Sequence, residues 1–361
     1  MQDHLNFILL RTEAGMPLAD NMQPILAKPA KQRSGFLKLH SSDNLFSWEQ
    51  RIEFLKQFGT HSQHFTALQS GMQYFDVPGI GYQAYMQKWG RCMVLGDPVA
   101  EPLEHAAFLD EFLQKHGNAS FIQVSEANAS HLHARHAYYG TQFGKELKVP
   151  LSDWTVSGKS KKCIRKAINQ AAEQGITVVE SPHELNVDEV SSRWLGTRKT
   201  RHREILFMVR PRKMEYRENC RYFYAMKDGS PIGFAYFDPA YLNGKVVSYL
   251  PNISRGCPTF KQGLFYTIMA HAMDLFREEG ISHLDLGLNP LALDDVAKPH
   301  ECRIVRSIFG WTFKHCLHYN FSGLHFTKQR FGGNWSPTFY CHKNTLPAVD
   351  MARMLKLTRV L

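Results

Sequence analysis

A chain of 361 residues, 43% hydrophobic and 21% charged, is too apolar to be disordered and too long for one ordinary core, so two domains of roughly 150 residues are expected. Lys and Arg outnumber Asp and Glu by 43 to 33, a formal charge of +10, which favours polyanionic partners such as RNA, phospholipid head groups or CoA. The early apolar run Phe7 to Leu10 and every later one fall far short of the roughly 20 residues that cross a bilayer, and no secretory leader is seen, so a cytoplasmic protein without a transmembrane segment is expected.

Residues 1–40, broken by Pro17, Pro24 and Pro29, read as an arm. A first domain is expected over 41–150. Phe46, Ile52, Leu55 and Phe58 have helical spacing, alternating stretches follow at 81–86 and 91–95, and a helix is expected from Leu103 to Lys115. Ser120 to Val124, a helix through Tyr138 and a strand at 142–149 complete that half. A basic connecting helix is assigned to 151–175 and a second domain to 176–345. There Tyr222 to Met226 opens as a strand, Ile232, Phe234 and Tyr236 alternate, and Asn243-Gly244 marks a hairpin turn before Val246 to Leu250. A long apolar helix over about 260–279 ends at Gly280, and His283 to Gly287 alternates as a short strand. Residues 346–361 read as a tail helix. Antiparallel strands, a long helix and a further strand, given twice, are the order of the GNAT acyltransferase fold. The fold class is therefore α/β (α+β), with two tandem GNAT-like domains whose mixed central sheets are flanked by helices.

Between the halves, Ile164, Ala167, Ile168 and Ala171 fall on one helical face, while Lys161, Lys162, Arg165 and Lys166 are left mostly to the other. With Lys159 just ahead and no acid before Glu173, these five cations are expected to hold tRNA phosphates. A second basic run from Arg193 to Arg217, opposed only by Glu204 and Glu215, interleaves Trp194, Phe207 and Tyr216. It reads either as a single-stranded nucleic-acid surface or as the core face of two helices. The seven cysteines are scattered singly, and His131, His133 and His136, like His315 and His318 around Cys316, complete no ligand pattern. No metal site and no disulfide framework are expected.

Several short motifs occur in order: Gly96-Asp97-Pro98; the cationic stretch Lys159 to Lys166 with Gly175; Trp194-Leu195; Gly233-Phe234-Ala235; Gly287-Leu288-Asn289-Pro290-Leu291; and Tyr319-Asn320-Phe321 with Gly323, Leu324, Lys328, Arg330, Phe331 and Trp335. Over residues 60–343 this set resembles the C-terminal catalytic domain of bacterial phosphatidylglycerol lysyltransferases, the aminoacyl-phosphatidylglycerol synthases. Asn289, where many relatives have a small residue, and Gly332-Gly333, where a Pro is common, depart from the pattern. The resemblance implies transfer of an amino acid from aminoacyl-tRNA, as co-substrate and without another cofactor, to a hydroxyl or amine acceptor. The large membrane domain that precedes the catalytic one in lipid-modifying members has no counterpart in this sequence. The acceptor is thus left open between a lipid head group and a small molecule, with peripheral contact at the inner membrane face as one expectation.

Such a reaction asks for orientation of the acceptor, stabilisation of an oxyanion and a proton for the departing ribose oxygen. Lys328 is expected to supply the last two, from a strand shared with Arg330 and walled by Phe326, Phe331 and Trp335. Arg330 would fork onto a phosphate, and Asp285, at the end of a strand, would orient the nucleophile or the substrate amine. Asn289 and Tyr249 are added as substrate-binding residues. Two other readings compete. An acyl-CoA-dependent N-acyltransferase would need a glycine-rich pyrophosphate loop, which Arg255 to Gly263, interrupted by Pro258, does not match. A non-catalytic RNA or membrane-surface binder would keep the basic helix alone.

Overall fold

A computed structural model describes residues 41–117, 119–198, 203–260, 263–316 and 319–360. The N-terminal arm, Lys199 and Arg201 of the second basic run, Lys261 and His318 lie outside the described residues. The first half begins with β1 (Ser42–Asp43) and α1 (Trp48–Phe58), where the Ser47 side chain accepts from the Gln50 N–H while Gln50 accepts from that of Ser47, a reciprocal cap that fixes the helix start. β2 (Gln73–Val77), β3 (Gly81–Lys88), β4 (Arg91–Leu95) and the short β5 (Val99–Ala100) follow, then α2 (His105–Lys115), β6 (Ala119–Val124), α3 (Glu126–His136) and β7 (Tyr139–Pro150). The connecting helix α4 (Lys162–Glu173) buries Ile164, Ala167 and Ala171, with Ile168 packed against the same core, on the expected face.

The second half repeats the order: β8 (Thr177–Ser181), α5 (Asp188–Gly196), β9 (Arg221–Lys227), β10 (Ser230–Leu242), β11 (Lys245–Gly256), α6 (Gly263–Glu278) and β12 (His283–Pro290). It ends with α7 (Arg303–His315), α8 (Phe321–Gln329), β13 (Asn334–His342) and α9 (Ala348–Leu357). Asn243 and Gly244 both take positive φ, 51° and 76°, the conformation that a two-residue hairpin turn demands. Gly280, at φ 79°, follows α6 as the expected left-handed stop. The described part of the second basic run holds one helix, α5, rather than two. Phe207 is buried outside any helix, and its backbone N–H and C=O are both held by the Gln69 amide.

The strands form one continuous sheet, in the order β1-β2-β3-β4-β6-β13-β7-β12-β11-β10-β9-β8, with β5 attached to β3. Each half is an antiparallel meander, a helix and a parallel strand, β6 beside β4 and β12 beside β11. The last strand of each half then lies against the other half: β13 pairs with β6, and β7 pairs with β12. β13 and β7 also pair with each other from Tyr139 to Lys148, so the seam is backbone-bonded and both edges of β7 are paired, and its residues from Gly140 to Gly144 are buried without a break. That burial explains why 142–149 shows little alternation in sequence. No helix among the described residues is long and apolar enough to cross a membrane.

Candidate active site

The site begins where two parallel strands part. β11 and β12 pair only at Ser248 with His283 and Tyr249 with Leu284. Beyond that point Leu250 to Gly256 and Leu286 to Leu288 become opposing walls of a cavity of about 1250 Å³. Helices α5, α6, α7, α8 and α9 close it with residues such as Trp194, Ile268, Phe309, Leu324 and Met354, and the first half adds Gln63 and Phe143. The lining is mainly apolar. Among the described residues its charged members are Arg198, Arg255 and Lys328, and no carboxylate lines it.

Lys328 sits in helix α8, not in the strand expected from sequence. Asn320 caps that helix by accepting from the Gly323 N–H at 2.8 Å, so the motif that looked like an alternating strand winds into a helix instead. The turn of α8 carries Lys328 inward, where 9% of it is exposed, and Nζ donates to the Leu288 carbonyl at 2.7 Å and towards that of Gly287 at 3.4 Å. Burial pushes its pKa down to about 8, opposed by the carboxylates of Asp285 and Glu146. Both the ammonium and the free amine are thus accessible near neutral pH.

Asp285 is buried beneath this turn and is not a lining residue. Its Oδ1 accepts from the Gly287 N–H at 2.7 Å, so it fixes the backbone that seats Lys328. Burial, reinforced by Glu146, raises its pKa to about 6, against the opposing field of Lys148 and the Gly287 hydrogen bond. Glu146, which the sequence reading did not single out, comes from β7 of the first half. Its Oε1 accepts from Ser62 at 2.6 Å and Gln123 at 2.5 Å. Only the strand exchange brings Glu146 near Asp285, and no local signal marks it. Arg255 is the second residue missed as a site member. It is buried, donates to Ser191 and to Glu204 (2.6 Å to the latter), and lies 5.4 Å from the Trp194 ring, while Arg198 lies over the same ring at 4.1 Å.

The other expected residues divide. Asn289 is fully buried; its amide nitrogen contacts His325 Nδ1, and its oxygen has no hydrogen-bond partner among the described residues. Arg330 caps the end of α8 with its guanidinium 3.9 Å from the Phe326 ring. It does not share a face with Lys328, because Lys328 lies in the last turn of α8 and Arg330, its C-cap two residues on, points about 200° further round the helix. Tyr249 is a core residue, stacked on Phe276 at 4.4 Å and outside the cavity lining. It lies on the still-paired part of β11, where no wall has opened.

The basic connecting helix is likewise split. Lys159, Lys162 and Lys166 are exposed, without an ion pair among the described residues. Lys161 instead donates to the Phe331 carbonyl and lies 4.7 Å from the Trp154 ring, with burial lowering its pKa. Arg165 donates to the carbonyls of Val156 at 2.5 Å and Gly158 at 2.7 Å. Arg165 thus supplies donors to carbonyls of the loop that precedes the helix, and Lys161 ties the helix start to the end of α8. On the far helices, His131 and His136 Nε2 converge on Asp110 Oδ1 at 2.8 and 2.5 Å, a partner that the spacing of the histidines alone did not reveal.

The family model for the phosphatidylglycerol lysyltransferase C-terminal region matches residues 52–342. The chain is 26% identical to a phosphatidylglycerol lysyltransferase of Staphylococcus epidermidis over 293 residues, 77% of this chain and 33% of that protein. It is 24% identical to one of Staphylococcus aureus over 328 residues, 85% of this chain and 37% of that protein. It therefore spans about a third of the length of these curated relatives. The structure of L-PGS from Bacillus licheniformis superposes with a TM-score of 0.73 at 19% identity, covering 86% of this chain and 96% of that one.

Proposed function

The chain belongs to the family of phosphatidylglycerol lysyltransferase C-terminal regions, and from that premise we propose that it moves an amino acid from aminoacyl-tRNA to the hydroxyl of a phosphatidylglycerol-like acceptor. The observation that carries this reading is a large apolar cavity whose charged lining residues, among those described, are three cations. Apolar walls suit acyl chains, Arg198 and Arg255 suit a phosphodiester, and the ammonium of Lys328 on the cavity wall suits polarisation of an ester carbonyl.

In the proposed reaction the acceptor oxygen attacks the ester carbonyl, a new C–O bond forms and the bond to the ribose oxygen breaks. The Lys328 ammonium stabilises the tetrahedral oxyanion and gives its proton to the departing ribose oxygen. The resulting amine takes up the proton lost by the acceptor hydroxyl, so the cycle closes without a metal or organic cofactor. Asp285 is a positioning residue, acting through the Gly287 N–H on the carbonyls that hold Lys328. Lys159, Lys162 and Lys166 hold the tRNA backbone. The enzyme works from the cytoplasmic side, against the inner face of the membrane.

The test is transfer of a radiolabelled amino acid from charged tRNA to phosphatidylglycerol in detergent micelles, read as label extracted into organic solvent. Lipid label that depends on Lys328 supports the reading. Label that passes only to water-soluble acceptors would sink the lipid half of it, and transfer from acetyl-CoA in place of charged tRNA would sink the donor half.

A further inference from the structure

Helix α7 turns two different faces outward and inward. Val305 and Phe309 are buried, and Phe309, Thr312 and Cys316 line the cavity. On the opposite side, Ile304 is 50% and Trp311 65% exposed, with Ser307 exposed between them. Residues seven apart lie nearly above one another on a helix, so these form one stripe. Arg303 and Lys314 are exposed to one side of it. The neighbouring α8, in contact with α7 through Phe313 and His325 (6.3 Å between ring centroids), adds Phe326, 52% exposed, with the Arg330 guanidinium over its ring.

The sequence around this surface has one sign of charge. No Asp or Glu occurs between Glu301 and Asp350, whereas Arg303, Arg306, Lys314, Lys328, Arg330 and Lys343 do. Arg306 is engaged by Glu301, which leaves Arg303 and Lys314 as the exposed cations of α7. An exposed Trp and Ile flanked by cations fit the boundary of an anionic bilayer. There the indole and aliphatic groups enter the head-group zone, and the cations reach lipid phosphates. An RNA surface would use the same cations, but an exposed Ile has no ring on which a base can stack.

We propose that α7 is a docking helix that lies flat on an anionic lipid surface, with Ile304 and Trp311 inserted and Arg303 and Lys314 on the phosphates. The inference deepens the lipid-acceptor reading, because the helix that touches the bilayer is also a wall of the cavity. A lipid chain leaving the membrane would then need to travel only the thickness of that helix.

The experiment is flotation of the full chain with vesicles of phosphatidylserine and phosphatidylcholine, compared with phosphatidylcholine alone. These lipids lack the proposed acceptor hydroxyl, so docking is read apart from catalysis. Wild-type protein should float with the anionic vesicles only, and both Ile304→Ser/Trp311→Ser and Arg303→Gln/Lys314→Gln should reduce the bound fraction by at least about tenfold. Brominated lipid should quench the wild-type tryptophan fluorescence and quench Trp311→Phe far less. Both double variants should keep wild-type transfer to phosphatidylglycerol dispersed in micelles, which shows that they fold and that the cavity is intact. Unchanged flotation of the variants, or equal quenching of Trp311→Phe, would overturn the proposal. A loss of tRNA affinity with flotation intact would give the surface to RNA instead. If no transfer to phosphatidylglycerol is found with any charged tRNA, the acceptor reading fails, while flotation and quenching still decide the docking helix.

Discussion

The two halves share an order of elements but differ at the one place where each could hold a substrate. In the first, β4 and β6 stay paired from Cys92 with Ala119 to Leu95 with Ile122. The space past the strand ends is filled: Gln83 donates towards the carbonyls of Leu95 and Gly96, Gln63 bonds Gln123 at 3.0 Å, and buried His64 meets the Asp97 carbonyl at 3.1 Å. In the second, β11 and β12 pair at only two positions and separate into the cavity. The same topology gives a packed scaffold or a site, depending on how far the central parallel pair stays zipped. The polar side chains differ in what they border: in the first half they bond backbone carbonyls and one another in a filled space, whereas in the second Lys328 and Arg255, though each has hydrogen-bond partners, line an open volume.

The sharpest way to break this contrast is Lys328→Ala. If the open crevice is catalytic, transfer should fall about a hundredfold to a thousandfold, roughly 3 to 4 kcal/mol, while loss of the bonds to Gly287 and Leu288 costs only about 1 kcal/mol of stability. Wild-type transfer should also decline as pH rises through about 8, where the ammonium is lost. Stability should move the other way. The folded value lies below the ordinary 10.5, so the unfolded chain binds more protons between about 8 and 10.5, and the Lys328 contribution rises with pH across that window. Lys328→Met should abolish that rise in urea titrations; a near-wild-type transfer rate in Lys328→Ala would remove it from the chemistry.

Acid titration separates the halves by sign. Burial, reinforced by His61, holds His64 down at about 3, so its contribution to stability is lost as pH falls from 6.5 towards 3. Asp285, raised to about 6 from 3.8, does the reverse and loses stability as pH rises from 3.8 to 6. Each slope approaches about 1.4 kcal/mol per pH unit where the protonation states differ fully. His64→Gln should flatten the acid limb, and Asp285→Asn should steepen it. Parallel curves for the two variants would contradict the contrast.

A smaller effect comes from two glycines of positive φ, Gly96 just after β4 in the first half and Gly287 within β12 in the second. Gly96 and Gly287 both have positive φ, 69° and 68°, and an added Cβ would lie 3.1 Å from His61 in one case and 2.9 Å from Leu250 in the other. Alanine at either should cost about 1 to 2 kcal/mol of stability. Only Gly287→Ala should also slow transfer, by about tenfold, through displacement of the Lys328 seat; equal transfer in the two variants would count against that seat. The smallest effect per residue belongs to the connecting helix. Lys159→Ala, Lys162→Ala and Lys166→Ala should each lower the salt slope of tRNA binding by roughly one unit, whereas Lys161→Ala should lower the melting temperature instead. An unchanged slope in the triple variant would remove the helix from tRNA binding.

What the sequence determined by itself was local. Asn243-Gly244, Gly280 and the apolar face of Ile164, Ala167 and Ala171 act within one turn or one helix, where backbone preference and periodicity are decided by neighbours in the chain. The repeated strand order was legible for the same reason, and so was the family motif that carries Lys328. The tertiary structure alone decided that β13 and β7 cross to the opposite half, and that β11 and β12 part after Tyr249 and Leu284. It also set Glu146 near Asp285 and turned Lys328 inward from a helix whose Asn320 cap resembles any loop residue in sequence. Strand partners more than a hundred residues apart are chosen by shared burial and hydrogen-bond closure over the whole sheet, and a buried charge acquires its pKa only from what that closure places around it.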